Sequence, residues 1–287
     1  MKLTIFTPSY NRAYILPNLF QSLQRQTCKD FEWLIVDDGS SDDTEHVVKS
    51  WLGENSIEIR YIKQANGGKH RAINTGVQYA RGELFFIVDS DDYLTDDAVE
   101  KILFYYDEVR NNETFGGICG MRAFSNGNRI GGELNFKIKD CSPFELRNKW
   151  HIRGDMAEIV KTKVFREYTF PSIGGEKFCP EALVWDRMSE KYKFRYFNEN
   201  IYVCEYLEDG LTSSMTRIRM KSPQYAMLYY SERYHRQLCL YEKIKAAINY
   251  WRFRACYKGR VESNVVGWGV LLKPIGIIYH LIDLQKQ

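Results

Sequence analysis

At 287 residues the chain is long enough for one large α/β domain, or one such domain with an appendage. Its 44% hydrophobic and 27% charged content, without any low-complexity run, excludes a disordered or fibrous protein. The net charge of +3 conceals an asymmetry: from Arg217 onward there are about 13 Lys/Arg against about 4 Asp/Glu, which leaves the first 216 residues acidic by about −6.

Seven cysteines (Cys28, Cys119, Cys141, Cys179, Cys204, Cys239 and Cys256) are scattered and form no Cys-x-x-Cys pair. That pattern argues against a disulfide framework and a zinc site, and predicts a reducing compartment. The opening Met1–Pro8 turns polar too early for a signal peptide, so the expected location is the cytosol.

The first 110 residues alternate strand and helix. Leu3–Thr7 predicts a short buried strand, and Ile15, Leu16, Leu19, Phe20 and Leu23 recur at helical spacing. Phe31–Asp37 is a second strand, followed by a turn over Asp38–Thr44 whose Asp42, Asp43 and Thr44 are suited to capping a helix that runs to about Leu52. Ile57–Lys63 predicts a third strand. After Gly67-Gly68, Ala72, Ile73, Gly76, Val77 and Ala80 mark a helix face, and Leu84–Val88 is the fourth strand. Strands separated by helix-length segments imply βαβ units and a mainly parallel sheet. Beyond residue 115 the pattern is less regular, with a strand over Phe115–Phe124 and a turn at Asn126-Gly127-Asn128. Past Lys221 the chain reads helical.

Right-handed crossovers bring the carboxyl ends of parallel strands to one edge, where open α/β sheets bind ligands. Three polar tips are expected there: Thr7–Arg12, Asp37–Ser40 and Asp89–Asp92. The last follows Phe85-Phe86-Ile87-Val88 with three carboxylates in four positions, and such a cluster is costly to desolvate unless a positive charge sits among it. Hard oxygen ligands suit Mg²⁺ or Mn²⁺ bridging a phosphorylated ligand. The alternative is a turn capping the next helix through Asp92 or Thr95.

The C-terminal stretch Val265–Tyr279 is apolar, but Lys273-Pro274 and three glycines interrupt it, so an interfacial anchor is expected rather than a span. Arg252, Arg254, Lys258 and Arg260 flank it, which predicts an anionic membrane surface as partner and disfavours nucleic acid. The alternative is a helix packed on the catalytic domain.

With Thr7-Pro8-Ser9-Tyr10-Asn11-Arg12, Val36–Thr44, Gly68–Asn74 and Asp89-Ser90-Asp91-Asp92 in this order, the chain resembles the family 2 glycosyltransferases of the GT-A fold. The resemblance covers residues 1–120 and, more weakly, the stretch to about 215. It implies a Rossmann-like, mainly parallel α/β sheet flanked by helices over residues 1–215. The nucleotide-binding half is 1–115, the acceptor half 116–215, and residues 216–287 form a helical C-terminal extension. It also implies an inverting, metal-dependent hexosyl- or N-acetylhexosaminyltransferase using Mn²⁺ or Mg²⁺. Such an enzyme moves sugar from a nucleotide-diphosphate sugar, a UDP-sugar first, to a glycan or lipid-linked acceptor, peripheral to the inner face of the membrane. A nucleotide-sugar-binding protein without transferase activity is the alternative. The sequence leaves the oligomeric state open.

On the same resemblance, Thr7, Pro8, Tyr10 and Arg12 wall the nucleotide pocket, Asp38 accepts from uracil, and Lys69 and Arg71 serve the diphosphate or base. Asp91 ligates the metal. Asp89 contacts the ribose or the metal's water shell, and Ser90 lies between them. The base that takes the acceptor proton is Glu181, with Glu176 and Asp186 as other candidates. Asp155 is a candidate for acceptor binding. The loop Tyr206–Thr212 is a candidate lid.

Overall fold

β1 (Leu3–Ser9) and β2 (Phe31–Asp37) are buried at every position, as central parallel strands covered on both faces must be. In the computed structural model, which describes residues 1–53, 57–132, 134–205, 215–260 and 263–286, they pair in parallel. Between them runs α1 (Leu16–Gln24), followed by α2 (Thr44–Trp51), β3 (Glu58–Lys63), α3 (Lys69–Tyr79), β4 (Leu84–Ile87), the short β5 (Tyr93–Leu94) and α4 (Ala98–Asp107). Then come β6 (Phe115–Phe124), β7 (Ile138–Cys141), α5 (Pro143–Asn148), β8 (Met156–Lys161), α6 (Thr162–Glu167), α7 (Ala182–Met188) and β9 (Lys193–Cys204).

The strands form a single sheet in the order β3-β2-β1-β4-β8-β6-β9-β5, with β7 paired to β9. β1 to β4 are mutually parallel, β8 runs against β4 and β6, and β9 runs with β6. The carboxyl ends of β1, β2, β4, β6 and β9 therefore share one edge. On one face Phe20 stacks on Trp51, with centroids 4.3 Å apart, and Trp51 on Trp33 at 5.8 Å. This packing fixes α1 and α2 against β2.

The chain divides into two compact units. The first comprises Met1–Phe170 and Val184–Leu207, the second Pro171–Leu183 and Glu208–Gln287. Pro171–Leu183 thus clusters with the C-terminal helices. The second unit contains α8 (Met215–Lys221), α9 (Pro223–His235), α10 (Leu240–Arg254), a 3₁₀ helix over Gly267–Leu272 and α11 (Lys273–Gln285). Its core is Met227, Tyr234, Ala246, Ala247, Tyr250, Trp251 and Val265. Lys273-Pro274 does not interrupt the helical path, because Pro274 falls in the first turn of α11, where no intrahelical N–H is required.

Candidate active site

The loop after β1 is sewn to the turn after β2. Asn11 adopts φ 53°; its N–H donates to Ser40 Oγ at 2.8 Å, and its Oδ1 accepts the Ser41 N–H at 2.8 Å. The Arg12 N–H donates to Thr44 Oγ1 at 3.0 Å and the Ala13 N–H to Asp42 Oδ2 at 3.1 Å. Asp42 also accepts the Thr44 hydroxyl at 2.5 Å. Asp42 and Thr44 thus tie two loops together, while the residue at the cap position of α2, Asp43, makes no side-chain cap. Tyr10 stands 49% exposed at the tip of this wall, available for stacking. Thr7 is a correction: its side chain is wholly buried and accepts the Trp33 indole N–H at 2.9 Å, so it supports the core and does not line the crevice. Pro8 is likewise buried, in register with Val36.

Asp37 shapes the turn, accepting the Ser40 N–H at 2.7 Å and the Tyr61 hydroxyl at 2.5 Å. Asp38 has a different task. Its Oδ1 accepts from Gln64 Nε2 at 2.7 Å and the Gly67 N–H at 3.0 Å; its Oδ2 accepts from the Gly68 N–H at 2.7 Å and Asn66 Nδ2 at 3.2 Å. A carboxylate offers about four lone-pair positions, and these four donors use them. A uracil N–H reaches Asp38 only by displacing one of them. What Asp38 secures is the turn that opens α3. Gly68 sits there at φ 96°, and a Cβ on Gly67 would meet Arg71 Cδ at 2.6 Å. The α3 N-terminus is left presenting Lys69 and Arg71, a place that favours anions.

The carboxylate cluster is asymmetric. Asp89 pairs with Lys69 Nζ at 2.6 Å. Its N–H donates to the Tyr202 hydroxyl at 3.0 Å, which in turn donates to Asp92 Oδ2 at 2.7 Å. The Glu205 N–H completes Asp92 at 3.1 Å. Asp92 therefore caps no helix. The Arg122 guanidinium lies 4.1 Å over the Tyr202 ring, and its Nε donates to Met156 O at 2.8 Å. Burial works to raise the Asp89 pKa, but Lys69, Arg122 and Arg12 outweigh it and hold it below the usual carboxylate range. Asp92 is pushed up to about 7, by burial first and the Asp89 charge second. Asp91 is also raised by burial and by Asp89, with Arg12 and Lys69 too weak to reverse it. Among the described residues no ion pair reaches Asp91.

This imbalance fits a divalent cation. Among the described residues no third His, Cys, Asp or Glu joins Asp89 and Asp91 to make a protein-only site. Mg²⁺ and Mn²⁺ are commonly held by one or two carboxylates plus substrate phosphates and water. Two carboxylates beside an anion-favouring helix N-terminus are that donor set. Ser9 Oγ, at the tip of β1, is buried and has no hydrogen-bond partner among the described residues, a further polar group facing an incomplete environment.

Of the remaining expected residues, Ser90 is buried within the cluster, and Asp155 is exposed just before β8, at the edge where β4 and β6 end. Glu181 belongs to the second unit and immediately precedes α7, with the Leu183 N–H bonded to Pro180 O at 3.0 Å. Glu176 is removed from the base candidates. It is 6% exposed and accepts the N–H groups of Gln224 at 2.8 Å and Tyr225 at 3.0 Å, capping the N-terminus of α9. Asp186 lies half-buried within α7, its carbonyl accepting the Ser189 hydroxyl at 2.6 Å. The loop Tyr206–Thr212 lies outside the described residues. Sequence reasoning missed Arg122 and Tyr202, for which no local motif exists, and Asn11 and Ser40, which lie inside quoted motifs without a role assigned to them.

An open, mostly parallel α/β sheet with acidic and basic groups at the carboxyl ends of its strands is the architecture of a ligand-binding α/β protein. The glycosyl transferase family 2 model matches residues 4–156, and the chain belongs to that family. It is 25% identical over 216 residues to the glycosyltransferase GlyG of Streptococcus pneumoniae, covering 70% of this chain and 69% of GlyG. The crystal structure of Staphylococcus aureus TarS 1-349 in complex with UDP-GlcNAc superposes with a TM-score of 0.62 at 20% identity, over 89% of this chain and 72% of that one. TarS is a poly(ribitol-phosphate) beta-N-acetylglucosaminyltransferase, and the sequence alignment with it reaches only 19% of its length. The mannosyltransferase PcManGT of Pyrobaculum calidifontis, in complex with GDP-Man and Mn²⁺, superposes with a TM-score of 0.58 at 15% identity, over 98% of this chain and 87% of that one. These two likenesses show the GT-A fold. The protein is a glycosyltransferase.

Proposed function

We propose that the chain transfers a hexose or N-acetylhexosamine from a UDP-sugar, with inversion, to a hydroxyl of a glycan or lipid-linked acceptor during surface polysaccharide or glycolipid assembly. The observation that carries the reading is Asp91, a half-buried carboxylate raised by burial and by Asp89, with no ion pair to it among the described residues. Asp91 and Asp89 are the residues to hold Mn²⁺ or Mg²⁺, which when bound supplies Lewis-acid neutralisation of charge on the departing diphosphate. The rest of the work falls to the chain's own groups. Lys69 and Arg71 at the α3 N-terminus bind the diphosphate, while Asn11–Ala13 and the Asp42–Thr44 turn hold the wall that carries Tyr10 beside the base. Asp38 serves by fixing the Gln64–Gly68 loop against which the base is read. Glu181 takes the proton from the acceptor hydroxyl as it attacks the anomeric carbon. TarS with UDP-GlcNAc and PcManGT with Mn²⁺ support the donor and metal assignments by likeness of fold.

The test is a thermal-shift panel of nucleotide sugars with and without Mn²⁺, joined to transfer assays. A UDP-sugar is expected to stabilise the protein only when Mn²⁺ is present. Glu181→Gln is expected to keep that stabilisation while transfer falls by about a thousandfold. Near-normal transfer by Glu181→Gln would remove Glu181 as the base, and failure of every nucleotide sugar to bind would remove the whole reading.

A further inference from the structure

α11 has its polarity reversed relative to a helix on a water-soluble protein. Its inward strip is Gly276, His280 and Asp283, at spacings of four and three residues, one face of a helix. Gly276 lies so close to α10 that a Cβ would meet Trp251 Cβ at 2.5 Å and Ile248 O at 2.7 Å. Asp283, 8% exposed, takes both arms of the Arg252 guanidinium at 2.5 Å, and His280 Nδ1 lies 3.5 Å from Cys256 Sγ. Almost everything else around the helix is apolar and faces outward: Ile275, Ile277, Ile278, Tyr279, Leu281, Ile282 and Leu284, all exposed. The preceding 3₁₀ helix adds Val270, Leu271, which is 78% exposed, and Trp268. An amphipathic helix in water turns this pattern the other way. An unbroken exposed apolar surface of this kind marks an interaction site.

We infer that the outward face of α11 and its 3₁₀ lead-in is immersed in the interfacial layer of an anionic lipid membrane, with the helix lying in the membrane plane. Three observations select lipid. The apolar side chains occupy nearly the whole free circumference of α11, whereas a partner protein would bury one stripe. Exposed basic residues flank the patch along the chain: Lys258 and Arg260 precede the 3₁₀ helix, Lys273 opens α11 with its Nζ 5.4 Å over the Trp251 ring, and Lys286 lies just past the helix. Trp268 and Tyr279 are the aromatic types that settle at the headgroup boundary. The helical stretch Gly267–Gln285 is long and apolar enough to cross a membrane, yet its neighbour decides against crossing. α10, against which Gly276 is pressed, carries Glu242, Lys243, Lys245, Arg252 and Arg254 in its 15 residues, and cannot enter hydrocarbon beside it. Only the outer side of α11 is available to lipid. Arg252 and Arg254, which the sequence alone marks as lipid contacts, are occupied: Arg252 by Asp283, Arg254 by the carbonyls of Tyr257 and Gly259. The inference is independent of the donor chemistry.

The experiment is flotation of the purified 287-residue chain with vesicles of phosphatidylglycerol and phosphatidylcholine, against vesicles of phosphatidylcholine alone. The chain is expected to float with the anionic vesicles, to be released by alkaline carbonate, and to bind more weakly at high salt. Ile278→Glu with Leu281→Glu, both at outward exposed positions, is expected to weaken binding by at least about a hundredfold. Brominated lipid is expected to quench wild-type tryptophan fluorescence, and Trp268→Phe to lose most of that quenching, a readout that needs no destabilising change. Absence of flotation, or binding unaffected by the double substitution, overturns the proposal. Retention after carbonate overturns the in-plane arrangement. A dimer in detergent-free solution that the double substitution dissociates, without lipid binding, assigns the face to a second copy of the chain instead.

Discussion

At the crevice edge of the first unit, Asp92 is buried and Asp89 and Asp91 beside it are half-buried. Lys69, Arg122 and Arg12 compensate Asp89, a tyrosine hydroxyl and an N–H hold Asp92, and no ion pair among the described residues reaches Asp91, on which Arg12 and Lys69 act only weakly. In the second unit, Asp283 is more deeply buried than Asp89 or Asp91, yet Arg252 matches it with two parallel hydrogen bonds. The first arrangement stores an unbalanced charge that a ligand can relieve. The second closes its charges on themselves and turns apolar surface outward. The difference lies in the partner: among the described residues no ion pair reaches half-buried Asp91, the carboxylate proposed to hold a cation, whereas buried Asp283 is fully matched.

The comparison is tested most severely at Asp91. Asp91→Asn is expected to lower donor turnover by about a thousandfold, the several kcal/mol that a positioned cation contributes. The metal-free variant should at the same time be more stable than wild type by about 1 kcal/mol in urea unfolding, because a disfavoured buried charge is gone. A variant that loses both activity and stability would make Asp91 a structural residue. Arg252→Met probes the opposite case. It leaves Asp283 unpaired inside the second unit and is expected to cost about 3 kcal/mol, whereas Arg252→Met combined with Asp283→Leu should recover most of that. If the double variant is as unstable as the single one, the pair does more than balance charge.

A smaller effect concerns pH. Burial, with Arg71 adding to it, pushes the His70 pKa down to about 4, so the folded chain holds this ring neutral against Phe170, 6.2 Å away edge to face. The unfolded chain binds the proton near pH 6.5, so the stability is present above that value and lost as pH falls toward 4, by no more than about 3 kcal/mol. His70→Gln should flatten this part of the stability–pH curve; an unchanged slope would assign it to other groups. Smallest is Tyr202→Phe. It removes the hydroxyl between the Asp89 N–H and Asp92, at a cost of about 1 kcal/mol, with a weaker metal-dependent thermal shift as its particular signature.

The sequence by itself determined the frame of the site. Apolar runs over Leu3–Phe6, Phe31–Val36 and Leu84–Val88, each ending in polar turn residues, read as parallel strands, and such strands end at a common edge. Tertiary structure decided which side chains serve that edge. In strands buried on both faces, alternation carries no information about direction, so Thr7 reads as readily toward the crevice as toward Trp33, which is where it points. Asp38 has an evident place but its four donors come from a loop 26 to 30 residues on. Tyr202 reaches Asp89 across 113 residues of chain through sheet pairing that no local pattern encodes. In α11 the spacing of Gly276, His280 and Asp283 is visible in the sequence, but the usual rule turns polar residues toward water. Only the packed structure, with Arg252 beneath Asp283 and glycine against Trp251, reverses that rule and leaves the apolar side outward.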